Sequence, residues 1–499
     1  MPIHSHIADG SDPTDAHDNP LLRGVPDPQN DSDLVRLLGF DPFREPDWRE
    51  KNRDPLRLLD QLRSVYIPTK KSLEIASALY SCIRNGYARR DPRFPAVWSS
   101  FYHLETGLAS SEVGPVYANG MTISGITGLG KSHVVLRVLS TLPQTIKHIN
   151  LSPQMASLTQ IVWLRADMST GAGIKALLLE ILERVDDLLM SGTDYAEQNS
   201  GSRVSVERLI KNTIRILKTH FCGVIILDEI QKQNFGQKNG SERVRNFLLK
   251  LLNTGIPVVL VGNPLGLTFE EYNGESAQLS RRLQGHAKVR LDPAESYDDS
   301  DWTILVQGLW RCQMLPKITP LDEDIQRALY MLTGGFPDFL SALLASSQRL
   351  AIKRKASALN EIFIQEAARS NSLLKEMKPL IEAFVLKDAF RLQRFSDIDC
   401  DYYKEKWILS RSSQMRMGKT HGVEETGQSA LFNTDPTRLT PYNIVAQGKA
   451  AFASECSHQT KIKKKNVASK LSPLGELHLE NLKNMVQLEK EKKDDFKPN

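Results

Sequence analysis

The segment Gly125-Ile126-Thr127-Gly128-Leu129-Gly130-Lys131-Ser132 fits the pattern G-x4-G-K-[ST]. Glycines at this density let a backbone wrap closely round phosphate so that several N–H groups point inward, and a helix starting at the end of the loop adds its positive dipole end. The whole run from Gly125 through Ile126, Thr127, Gly128, Leu129 and Gly130 to Ser132 would then cradle phosphate. Lys131 would reach the β- and γ-phosphates, and the Ser132 hydroxyl would ligate Mg2+. The chemistry implied is binding of ATP with Mg2+ as cofactor.

Two carboxylates supply the next part. The apolar run Val224-Ile225-Ile226-Leu227 ends in Asp228-Glu229. Beside a bound triphosphate, Asp228 would hold Mg2+ directly or through water, and Glu229 would polarise the attacking water. An acidic turn after a buried strand is the competing reading, and the P-loop upstream tips the balance towards catalysis. A further apolar run, Val258-Val259-Leu260-Val261, is followed by Gly262-Asn263-Pro264. If that strand neighbours the P-loop strand, the Asn263 amide would orient the water. Gly-Asn-Pro is also a turn sequence in its own right, so both readings stand. Arg281 and Arg282 follow in Leu279-Ser280-Arg281-Arg282-Leu283. In an oligomeric ATPase an arginine from a neighbouring subunit can stabilise charge on the γ-phosphate, whereas surface solvation is the default for a bare pair. No Ser-His-Asp triad or histidine cluster with metal-ligand spacing stands out elsewhere.

These groups need elements to position them. Met121-Thr122-Ile123 reads as a strand before the loop and 132–142 as a helix after it. Beyond them 143–159 contains a loop leading towards the strand Ile161-Val162-Trp163-Leu164, then 173–189 reads as a helix, 194–203 as a loop and 204–220 as an amphipathic helix. Strands alternating with helices predict an α/β fold with a parallel central sheet. Upstream, 54–62 reads as a helix with Pro55 in its first turn, and 72–84 as a second helix ended by Asn85-Gly86. Downstream, 301–352, 359–369 and 373–386 read as a small helical bundle.

The chain has 499 residues, enough for more than one domain, and a formal net charge of +5. No apolar run is long enough to span a membrane and the first thirty-odd residues are polar, so the expectation is a cytoplasmic protein without membrane contact. Its five cysteines are scattered and form no C-x-x-C pair, which argues for idle thiols in a reducing compartment. Lys461, Lys463, Lys464, Lys465 and Lys470 crowd the C-terminal region. Such a tail could contact nucleic acid or a partner, and a solvated tail fits equally well.

In this order, the P-loop, the acid-tipped strand, the Asn-tipped strand and the Arg pair resemble an AAA+ ATPase. The closer resemblance is to the TnsC family, AAA+ regulators of Tn7-like bacterial DNA transposons, with TniB and MuB as more distant relatives. Asp18-Asn19-Pro20-Leu21-Leu22, Ile83-Arg84-Asn85-Gly86-Tyr87, Arg90-Asp91-Pro92, the stretch 167–175, Leu227-Asp228-Glu229-Ile230-Gln231, Gly255-Ile256-Pro257-Val258 and Leu309-Trp310 carry it. The resemblance implies a homo-oligomer, ring or helical filament, that assembles on duplex DNA under ATP control and links a target-selector protein to transposase subunits. It makes Lys175 a candidate DNA contact, with an ordinary solvated lysine as the alternative. Two positions depart from the pattern: Asn263 stands where the TnsC pattern has threonine, and Thr333-Gly334-Gly335-Phe336-Pro337-Asp338 puts an acid where many AAA+ lids carry a sensor arginine.

The domain layout expected is a disordered tail over 1–33, a helical N-terminal extension over 34–112, the nucleotide-binding domain over 113–293, a helical lid over 294–400 and a partner-binding tail over 401–499. A different class of reading remains open from sequence, a solitary signalling NTPase switch that binds protein partners and not DNA.

Overall fold

A computed structural model describes residues 5–8, 19–43, 54–88, 90–94, 97–98, 118–152, 155–168, 173–190, 192–201, 203–230, 238–267 and 280–417. The centre is a five-stranded sheet in the order β5-β6-β7-β2-β8, built from β2 (Met121–Gly125), β5 (Trp163–Asp167), β6 (Val224–Ile230), β7 (Val258–Gly262) and β8 (Ala287–Leu291). Every pairing in it is parallel. Side chains alternate across the sheet because the strand period is two. Ile225, Leu227, Val258 and Leu260 enter one core, shared with α5 (Ile174–Leu189), α7 (Val206–Thr219) and α8 (Lys238–Asn253). Val224, Ile226, Val259 and Val261 enter the other, beneath α3 (Lys70–Tyr87) and α4 (Lys131–Leu139). Burial on both faces is why β6 and β7 read as unbroken apolar runs.

The helices begin where their caps dictate. Asn30 accepts from Asp33 N to start α1 (Asp31–Leu38), and Thr69 and Ser72 form a capping box at the start of α3. α2 (Pro55–Gln61) has its proline in the first turn, as expected. A third core gathers α9 (Ser300–Trp310), α10 (Glu323–Thr333), α11 (Pro337–Lys353), α12 (Glu361–Ser370), α13 (Ser372–Val385), α14 (Ala389–Leu392) and the first turns of α15 (Cys400–Met417). Leu58, Leu59, Leu62 and Val65 from the α2 region join that core, and so do Ile126 and Leu129 of the P-loop. The lid, the N-terminal extension and the phosphate loop therefore pack as one body. Residues from Ile408 form a separate unit, in which only the end of α15 is described.

Several expectations are corrected. The segment 143–159, expected only to contain a loop before the next strand, holds two strands: β3 (Thr145–Ser152) and β4 (Met155–Ile161) form an antiparallel hairpin, with β1 (Ser5–Ala8) parallel to β3. β4 ends at Ile161 and β5 starts at Trp163, so the single strand expected over 161–164 is two. A short helix, α6 (Tyr195–Ser200), lies within the expected loop 194–203. Within the span expected to be disordered, Leu21 and Val25 are buried, and Asn19 Nδ2 donates to Tyr87 O at 2.8 Å. Asn85-Gly86 does not end α3, which runs on to Tyr87. A Cβ on Gly86 would come within 2.5 Å of Pro257 Cγ, so this glycine serves close packing against the strand that follows. Finally, Tyr403 and Trp407 are buried in the lid core, so the chain stays part of the lid beyond residue 400.

Candidate nucleotide site

The P-loop leaves the C-terminal end of β2 and turns into α4 at Lys131. Gly128 and Gly130 take φ of 87° and 79°, a region costing other residues about 1–2 kcal/mol. Lys131 Nζ donates to Ile126 O at 3.0 Å, so its ammonium is folded over the loop it would share with phosphate. Burial pushes its pKa down, opposed by the charges of Asp228 and Asp397. Ser132 Oγ donates to Asp228 Oδ1 at 3.1 Å. The predicted phosphate ligands and the first acid of β6 thus meet.

β6 does not stop at Asp228. Glu229 takes φ of 59° and stands exposed, the register against β7 shifts between Leu227 and Ile230, and pairing resumes opposite Gly262. This bulge turns Glu229 out of the sheet while Asp228 stays buried, at 1% exposure. The Glu229 backbone N–H donates to Asp228 Oδ1 at 2.8 Å, which helps fix the Asp228 carboxylate.

Arg165 was not singled out by motif reasoning. It lies on β5, beside β6, with Nη2 3.0 Å and Nε 3.3 Å from Asp228 Oδ2. Its Nη2 also lies 2.8 Å from Asp167 Oδ1. The one available signal was an arginine two residues before an acid on a strand next to the acid-tipped one.

β7 is the neighbour of β2, as the water-orienting reading of Asn263 requires. The Asn263 side chain is nonetheless engaged. Its Oδ1 accepts from Leu265 N at 3.0 Å, an Asx turn, and its Nδ2 donates to Asp397 O at 2.5 Å. The strand tip is thereby joined to the segment before α15. Next to it, Arg290 pairs with Asp292 and Asp399, while Asp292 accepts from Tyr402, Tyr403 and Lys406.

Arg281 and Arg282 are not brought to this site. Arg282 O accepts from Gly120 N, at the N-terminal end of β2, a full strand length from the P-loop. Arg281 is exposed, and the Arg282 guanidinium bonds Asn253 Oδ1. Lys175, near the start of α5, donates to Gly201 O at 3.4 Å.

The cleft over the loop has a volume of about 510 Å3, within the range of small-molecule sites. Residues 127–134 form one wall. Val65, Tyr66 and Ile67 form a second, and Leu305, Leu309, Pro337 and Asp338 of the lid close it. Apolar walls beside a phosphate loop suit a purine base. Asp338 N lies 3.3 Å from Gly128 O, so Asp338 lines the cleft directly beside the P-loop. The donor set fits Mg2+: Ser132 Oγ and Asp228 Oδ1 are hard oxygens already in contact. Among the described residues no group of three or more His, Cys, Asp or Glu side chains could hold an ion unaided, so nucleotide phosphates would have to complete its shell.

No single helix among the described residues is long and apolar enough to cross a membrane. No curated protein matches the chain. Residues 116–269 match the family described as AAA domain. Solved structures with some likeness include Aeropyrum pernix ORC1 in complex with DNA, at 15% identity over 75% of this chain and 84% of that one, TM-score 0.40. Drosophila ORC bound to DNA follows at 12% identity over 76% and 83%, TM-score 0.40. The Thermotoga maritima RuvB Holliday junction branch migration motor matches at 13% identity over 54% and 68%, TM-score 0.29. These distant superpositions add no weight to the assignment, which stands on the domain match, the sheet order and the phosphate loop. Residues 116–269 match the AAA domain family, and the described residues have the AAA+ P-loop fold, a parallel five-stranded sheet flanked by helices, preceded and followed by helical regions.

Proposed function

We propose that this protein is a Mg2+-dependent ATPase whose nucleotide state controls assembly on duplex DNA, and that the assembly links a target-selector protein to transposase subunits. The observation that carries the ATPase part is the contact of Ser132 Oγ with Asp228 Oδ1 next to Lys131 of the loop, with Glu229 exposed at the following position of the bulge. Lys131 and the loop amides would hold the phosphates, Ser132 and Asp228 the ion, and Glu229 would accept a proton from the attacking water. Arg281 is exposed and precedes Arg282, whose carbonyl accepts from Gly120 N ahead of β2, which supports a role towards a neighbouring copy rather than towards its own site.

The transposition part is supported by the TnsC-like stretches of sequence. For DNA itself, the exposed residues Arg203, Arg208, Lys211 and Arg215 lie on the polar face of α7 and just before it. Lys175 donates to Gly201 O, two residues before Arg203, and these cations, with Glu207 among them, support contact with backbone phosphates. The tail beyond 417 lies outside the described residues, and we assign it to transposase recruitment.

Electron microscopy of the protein with a slowly hydrolysed ATP analogue and duplex DNA tests the proposal. ATP-dependent oligomers on DNA at low salt are expected; their absence would favour a solitary NTPase switch. Lys131→Ala should lose nucleotide binding, while Glu229→Gln should retain it, hydrolyse slowly and accumulate on DNA. Truncation after Val445 should abolish transposase binding and spare ATP-dependent DNA binding.

A further inference from the structure

The Asp228 carboxylate accepts from four donor atoms of three residues, and they divide cleanly between its two oxygens. Oδ1 accepts from Ser132 Oγ at 3.1 Å and from Glu229 N at 2.8 Å. Oδ2 is taken side-on by Arg165, through Nη2 at 3.0 Å and Nε at 3.3 Å. The Asp228 side chain is 2% exposed and that of Arg165 26%, so water competes little for this contact. Arg165 is itself braced by Asp167 Oδ1 at 2.8 Å. The carboxylate plane is therefore locked, with one oxygen facing the hydroxyl that would ligate the ion and the other turned to a guanidinium.

We infer that Arg165 is a positioning residue that makes Asp228 present a single oxygen to the divalent ion, and so sets the preference of this site for Mg2+ over larger ions. The inference rests on the ATP-Mg2+ reading of the cleft and adds a residue and a selectivity to it. The physical reason lies in ion size. Mg2+ demands a tight octahedron of single oxygens, whereas Ca2+ readily takes both oxygens of a carboxylate in a looser shell. With Oδ2 covered, Asp228 cannot become a two-oxygen ligand. Arg165 and Asp167 also cancel in charge, which leaves Asp228 as the net negative group beside Ser132.

Removing Arg165 changes two things at once. The site becomes more negative, which strengthens every divalent ion alike, and Oδ2 is freed, which strengthens Ca2+ selectively. The ratio of the two affinities cancels the first effect and reports the second.

The experiment uses the full-length protein and a fluorescent ATP analogue, titrated with Mg2+ and separately with Ca2+, reading analogue binding rather than turnover. In Arg165→Gln the Ca2+ half-saturation should fall relative to that of Mg2+ by about tenfold, the scale typical of outer-shell changes at metal sites. Arg165→Lys, which covers Oδ2 with one point charge and no fork, should shift the ratio the same way by less, and it serves alone if the glutamine variant does not fold. Asp167→Asn leaves the Arg165–Asp228 contact in place and should leave the ratio unchanged. An unchanged ratio in the Arg165 variants overturns the inference, as does an equal shift in Asp167→Asn. If wild-type protein binds the analogue without any dependence on divalent ions, the ATP-Mg2+ reading itself falls, which is a separate outcome.

Discussion

Replacing Asp292 by Asn removes one negative charge where β8 meets the first turns of α15, and keeps the side chain's shape. The carboxylate accepts from Tyr403 at 2.7 Å, Tyr402 at 2.8 Å and Lys406 at 2.9 Å, with Arg290 Nε at 3.3 Å. Neutralising one member of a buried ion pair costs about 3–5 kcal/mol. Two features lower that figure. The side chains of Asp292 and Lys406 are 17% and 24% exposed, and each cation keeps a second acid, Glu295 at 3.0 Å for Lys406 and Asp399 at 3.4 Å for Arg290. One feature raises it: the amide can satisfy only one tyrosine hydroxyl as acceptor, and Tyr403 is buried at 1% exposure. A loss of about 2 kcal/mol is expected. It should be read as local opening by hydrogen exchange in peptides covering residues 400–407, alongside denaturant unfolding. Acidity supplies a signature. Burial alone would raise the Asp292 pKa, but the Lys406 charge and the hydrogen bonds from Lys406, Tyr403 and Tyr402 outweigh it, so the folded pKa lies below the ordinary value. A depressed carboxylate pKa contributes stability above the unfolded value, near 3.9, and that stability is lost as pH falls through the folded value. The gap between wild type and Asp292→Asn should therefore be full at neutral pH and close only as pH drops below about 4. A gap under about 0.5 kcal/mol at neutral pH, or one that does not narrow on acidification, would refute this account of the contact.

Other expectations follow from the same geometry. Arg281→Ala should leave nucleotide affinity of the dilute protein unchanged and slow hydrolysis by the DNA-bound assembly on the order of 10^3-fold, measured as steady-state turnover with and without DNA. Loss of nucleotide binding in the dilute protein would remove the in-trans role. The double variant Arg208→Ala, Arg215→Ala should lower the slope of log K for DNA against log salt by roughly 2, if both side chains neutralise phosphates. Gly262→Ala would place a Cβ 2.2 Å from Ile230 O, and strand backbone gives way poorly. It should destabilise the protein by at least about 1–3 kcal/mol and, by shifting the bulge that carries Glu229, reduce turnover of whatever protein stays folded.

How much of this could be read from the chain depends on the range of the interaction that fixes each part. The strands β6 and β7 were legible because burial on both faces makes Val224–Leu227 and Val258–Val261 apolar without interruption. The hairpin of β3 and β4 was not. Its covered positions include His148 and Gln160, which hydrogen-bond each other at 2.7 Å, while Gln160 reaches Leu21 O at 2.9 Å. A polar pair satisfied inside hides the alternation that marks a strand. The packing of residues 19–25 was hidden for a similar reason, since Asn19 reads as a turn residue until Tyr87 O is brought to it.

The candidate site divides in the same way. Gly125 to Ser132 announced its chemistry from sequence because a phosphate cradle is a local device, made by glycines, one lysine and one hydroxyl within eight residues. Asp228 and Glu229 were legible too, each with its expected role, but the bulge opposite β7 that keeps Asp228 buried and leaves Glu229 exposed was not. Tertiary structure alone decided that Asn263 bonds Asp397, that Arg282 lies at the wrong end of β2 to reach its own P-loop, and that Arg165 covers one oxygen of Asp228. The sequence by itself determined which groups could bind and cleave a nucleotide. Which oxygen of Asp228 meets Ser132 and which meets Arg165 was decided only by how the strands and the P-loop helix come together, because those contacts join residues some sixty to a hundred positions apart, beyond the reach of any local pattern.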